Sequence, residues 1–161
     1  MRWRSSGWAY ATLLAGQTAA AAALFVIVFP LFRQIVTHLG ERQELSLSQQ
    51  ALIMTIAAVL HVLYWARLKW VAVVAPFHNV FAAHLCSFAS RVSFFFGGAL
   101  FSALFFRHLP EIDALLPVGQ TLIRTVYVLV VLFGLFCYSQ ELDRLAKALE
   151  DPASEIKQQD L

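Results

Sequence analysis

Apolar residues dominate four stretches of the chain, Trp8 to Phe32, Ala51 to Trp65, Val80 to Phe106 and Pro117 to Tyr138, and most charged residues gather between and after them. A helix rises 1.5 Å per residue, so crossing a hydrocarbon core of about 30 Å takes about 20 predominantly apolar residues. The pattern predicts an all-α membrane protein, a four-transmembrane-helix bundle with a short amphipathic C-terminal helix. The expected spans are about 8–32, 48–75, 79–106 and 117–139, and residues 140–161 form a cytoplasmic amphipathic helix and tail.

The punctuation places the ends. Ser46-Leu47-Ser48-Gln49 fits a capping box and starts the second helix near Ser48. From Ala51 to Phe106 the chain is too long for one span and awkward for three. Pro76, followed by His78 and Asn79, is the turn-forming cluster in that length, so the tip of a helical hairpin belongs there. Both arms then exceed the length needed to cross, and tilt with snorkelling of Arg67 and Lys69 absorbs the excess. A turn at Arg67–Lys69 would instead give five spans. Pro110 and Pro117 punctuate the loop before the last span. Beyond Ser139, Leu142, Leu145 and Leu149 make an apolar stripe and Asp143 stands four residues before Lys147, which reads as a helix continuing out of the membrane until Asp151-Pro152.

The first apolar run is longer than a signal-peptide core, so it is expected to remain as a span. Ala11, Ala15, Ala19 and Ala23 recur every four residues, and Gly16 precedes Ala20 by four. Small residues let membrane helices approach closely. Ala15 and Ala19, with Gly97 and Gly98 in the third span, are the expected helix-packing positions.

Composition agrees with the pattern. Of 161 residues 60% are hydrophobic and 14% charged, against about 45–50% and about 25% in soluble domains. The net charge of +2 comes from 12 basic and 10 acidic residues, mostly outside the spans, and no basic patch points to nucleic acid. Lys and Arg number seven on the side holding the termini and four on the other, which favours both termini in the cytoplasm. The chain is expected to be an integral membrane protein of a bacterial inner membrane. Cys86 and Cys137 fall inside spans and read as packed thiols.

Arg91 breaks the third apolar run close to its middle. A charge at that depth costs roughly 3 kcal/mol on insertion scales, so it usually faces a protein interior and marks function. Helical spacing puts His84, Ser87, Arg91, Gly98 and Ser102 on one stripe. A tip at Pro76 makes His61 and Arg91 equally distant from it, with Tyr64 one turn nearer. The expected intramembrane polar cluster is therefore His61, Tyr64, His84, Ser87 and Arg91, with Arg124 a second basic site. No Asp or Glu occurs from Leu45 to Pro110 or from Ala114 to Gln140. Arg91 must be satisfied by His61, by hydroxyls and carbonyls, by a lipid phosphate or anionic ligand, or by a carboxylate of another membrane subunit.

Catalytic motifs are missing: there is no nucleophile–base pair, phosphate-cradling loop or zinc-spaced Cys/His cluster. The expected function is that of a non-catalytic accessory or scaffold subunit in a larger membrane complex. One alternative is a redox subunit binding haem b or quinone through His61 or His84 with Arg91. Another is a small channel, or a protein that handles an anion or lipid along Arg91 and Arg124.

Overall fold

A computed structural model of the chain describes residues 7–37, 46–73, 77–112 and 118–150. They form four helices: α1 (Gly7–Thr37), α2 (Leu47–Trp70), α3 (Val80–Ile112) and α4 (Val118–Glu150). Each contains a stretch long and apolar enough to cross a membrane, so the four-span integral membrane fold expected from hydropathy is the fold observed. The Arg107 and Arg124 side chains, the loop at 113–117 and the tail from 151 lie outside the described residues.

The capping box is built as the sequence anticipates. The Ser46 hydroxyl accepts from the Gln49 amide, and the Gln49 side chain accepts from the Ser46 amide. The other end of α2 differs. It stops at Trp70 rather than near residue 75, because Val71 turns to extended backbone (φ −131°, ψ 127°) and Val73 is buried beside Tyr10 and Ala83. α2 runs unbroken through Arg67 and Lys69, which removes the five-span alternative. Pro76 is outside the described residues. Asn79 opens α3: its side chain accepts from the Ala82 amide, and its own amide donates to the Leu149 carbonyl at the end of α4.

The connection from Val71 to Asn79 is nine residues long. At about 3.3 Å per residue its nine residues reach up to about 30 Å, enough to cross the bundle. α2 and α3 accordingly stand diagonally. α3 packs mainly on α4, α2 on α1 and α4, and the pair α2·α3 scarcely touches among the described residues. Around the bundle the order is α1, α2, α4, α3.

α4 continues without a break past Ser139, so the amphipathic C-terminal helix is its last three turns. Leu142, Leu145 and Leu149 are buried, and the exposed Lys147 pairs with Asp143 at 2.8 Å. The main core joins Ala20, Leu24, Ala57, Leu60, Leu135 and Tyr138, and a second cluster at the end holding residue 7 closes Tyr10, Val73, Ala83 and Leu149 together.

Of the expected packing positions, Ala15, Ala19 and Gly98 do not pack within the chain. Ala15 and Ala19 are exposed on the outside of α1, as is Ala11. The residues that dock α1 lie about 100° further round: Ala20 is buried, and a methyl group on Gly16 would stand 3.1 Å from Leu63 of α2. Gly97 is buried against Leu132 and Leu135 of α4, as expected, whereas Gly98 faces open space.

Candidate functional site

The strongest polar arrangement joins α2 to α4. Arg67 occupies the last turn of α2, and Glu141 sits where α4 continues past its most apolar stretch. Arg67 Nε lies 2.6 Å from Glu141 Oε1, with the side chains only 6% and 0% exposed. The Tyr10 ring of α1 stands 5.8 Å from the Arg67 guanidinium, and Tyr10 is buried at the same junction. Tyr64 is buried one turn before Arg67, within electrostatic reach of both ions. Three helices thus meet on one ion pair. Removing two charges from water costs several kcal/mol per ion, and only close geometry with further hydrogen bonds offsets it. The pair therefore fixes how α2 and α4 align more than it adds net stability.

Other polar groups also link helices. Ser90 Oγ donates to the Ser139 carbonyl at 2.8 Å and lies 3.1 Å from the Ser139 hydroxyl, tying α3 to α4. The Tyr138 hydroxyl donates to Thr18 Oγ1 at 3.1 Å, tying α4 to α1. Ser90→Ala is expected to cost about 1 kcal/mol, read as a small drop in detergent melting temperature with helix content unchanged. Gln17 on α1 is fully buried, and neither of its amide atoms bonds another described group.

The structure separates the residues expected to cluster around Arg91. Because α2 and α3 are diagonal, equal distance from Pro76 does not bring His61 to Arg91. His61 turns toward α4 instead. Its Nδ1 donates to the Ala57 carbonyl at 2.7 Å, its ring lies 5.5 Å from that of Phe133, and a methyl group on Gly134 would stand 3.0 Å from its Cε1. Tyr64 belongs with Arg67 and Glu141. His84 and Arg91 are exposed on α3, with Ser87 half-buried between them, and Arg91 is in no salt bridge among the described residues. Arg124 lies in α4, its side chain outside the described residues.

A haem held between His61 and His84 would need both imidazoles to face one space, and here they sit on diagonal helices with His61 turned to Gly134. No group of three His, Cys, Asp or Glu that could hold a metal occurs among the described residues. Cys86 and Cys137 are free thiols.

Sequence reasoning missed Tyr10, Gln17 and Glu141. Tyr10 reads as an interfacial aromatic, and Glu141 falls in the helix expected to continue out of the membrane. The available signal was positional. Helices two apart in an up-and-down chain run parallel, so the first cation reached near the end of the second helix and the first acid reached near the end of the fourth come to similar heights.

An outer groove of about 350 Å³ runs between α3 and α4, lined by Phe94, Gly97 and Gly98 on one side and Leu132, Phe133 and Phe136 on the other. Comparison of the chain with protein-family models, curated proteins and solved structures finds no match.

Proposed function

We propose that the protein is a non-catalytic accessory or scaffold subunit of a larger membrane complex, seated in a bacterial inner membrane with both termini in the cytoplasm. The supporting observation is where the polar chemistry is used. The Arg67–Glu141 pair, the Ser90–Ser139 contact and the Tyr138–Thr18 contact each join two helices of the same chain. Such joinery suits a body that keeps a fixed shape for others to pack on. The excess of Lys and Arg on the side of the termini supports the orientation.

The outside of α1 is the face offered for assembly. Ala11, Ala15 and Ala19 are exposed there, and small residues on a membrane helix allow a neighbouring backbone close approach. Leucine at Ala15 and Ala19 projects outward, so the chain is expected to keep its helix content and melting temperature while its co-purifying subunits fall to a small fraction of wild type. Full retention of those subunits by Ala15→Leu/Ala19→Leu would remove α1 as the assembly face.

A further inference from the structure

We propose that the outer groove between α3 and α4 holds one anionic phospholipid, with its phosphate on Arg91 and an acyl chain along Phe94, Gly97, Gly98, Leu132, Phe133 and Phe136. The occupant follows from heights within the bundle. α2 (Leu47–Trp70), α3 (Val80–Ile112) and α4 (Val118–Glu150) are centred near Val59, Phe96 and Gly134. His61 packs on Gly134, and Gly97 packs on Leu132. The middle of the bundle therefore passes close to Val59, Leu132 and Gly97.

Arg91 is six residues from Gly97, about 9 Å along the helix, and half of a roughly 30 Å core is about 15 Å. This moves Arg91 off the mid-bilayer position expected from sequence. Its side chain also leans toward the start of α3, the nearer membrane surface. An arginine so placed snorkels to headgroup level while its stem stays in hydrocarbon. The groove begins one turn further in and reaches the middle, the depth of an acyl chain. A cationic mouth above an apolar slot is the complement of a lipid, phosphate outward and chain inward.

The charges facing the mouth favour a net negative headgroup. Arg91 is exposed and in no salt bridge among the described residues, and His84 stands on the same stripe toward the surface. The Ser90–Ser139 and Asn79–Leu149 contacts set the α3·α4 register, which puts the exposed Arg144 at about the height of Leu85. Of the nearby acids, Glu141 is held by Arg67, Asp143 by Lys147, and Glu150 lies at the far end of α4. A second copy is the poorer occupant, since the sequence has no Asp or Glu from Leu45 to Pro110 or from Ala114 to Gln140 to bring to Arg91.

The test is native mass spectrometry of the full chain from nanodiscs holding equal phosphatidylglycerol and phosphatidylcholine. Wild type is expected to retain one phosphatidylglycerol per chain in preference to phosphatidylcholine. Arg91→Gln is expected to lower that retention at least about fivefold, since hydrogen bonds to charged groups are among the stronger ones. Gly98→Leu puts bulk into the slot at a position where nothing stands within 4 Å of the first added carbon, and it is expected to displace the lipid with the melting temperature unchanged. Equal retention of both lipids, or wild-type retention by either variant, would overturn the proposal. So would Gly98→Cys cross-linking to a second copy or a foreign subunit in membranes, which would make this face a protein interface. The groove is lined by α3 and α4 and the alanine face belongs to α1, so lipid loss and subunit loss are separate readouts.

Discussion

Glu141→Ala is expected to lower the unfolding free energy by about 3–5 kcal/mol, the usual cost of removing one partner of a buried ion pair. The size follows from what is left behind. Glu141 is fully buried and Arg67 is 6% exposed, so a stranded guanidinium would have neither water nor a carboxylate. Replacing both ions by apolar residues of similar volume strands neither. The double variant Arg67→Met/Glu141→Leu is therefore expected to be far milder than Glu141→Ala, near neutral within about 1–2 kcal/mol. Unfolding in mixed micelles by denaturing detergent, followed by circular dichroism, measures all three chains. A double variant as damaged as the single would show that the pair itself, rather than the stranded charge, carries the stability.

Leu60→Ala comes next in size. Leu60 is fully buried, lies in the main core and touches the Gly134 position of α4. In a soluble core such a truncation costs about 2–5 kcal/mol, the sum of lost transfer and the cavity left behind. Lipid tails are as apolar as leucine, so the transfer part largely vanishes in a membrane and the lost packing contacts remain. The expected loss is about 2 kcal/mol, at the low end of that range. A surface control such as Val62→Ala, on the exposed side of the same helix, is expected to change stability by less than about 0.5 kcal/mol. The same micelle titration distinguishes them, and equal losses would place Leu60 outside the core.

The number and places of the helices were legible because membrane crossing imposes a length, and the four apolar runs satisfy it. The start of α2 was legible too, since Ser46 and Gln49 carry its cap in their side chains. Neighbour relations were not. Hydropathy says nothing about which helices touch, and the assumption that consecutive spans pack as a hairpin paired α2 with α3. α2 and α3 instead stand diagonally, and His61 thereby meets Gly134 rather than Arg91. The same blindness hid the ion pair: Arg67 read as snorkelling, Glu141 fell in the helix expected to continue out of the membrane, and only packing of parallel α2 and α4 joins them. Ala15 and Ala19 show a further limit. Every-fourth spacing identifies a face on a helix but not whether that face turns inward, and here Gly16 and Ala20 take the interior.

The proposed role requires that other membrane subunits assemble on this fixed-shape chain. Native mass spectrometry of the tagged protein, extracted in mild detergent from its own host's membranes, tests it most directly. The expected spectrum contains the 18.0 kDa chain in stoichiometric association with foreign membrane subunits, which dissociate from Ala15→Leu/Ala19→Leu. A wild-type chain that emerges alone, or only as copies of itself, would contradict that role.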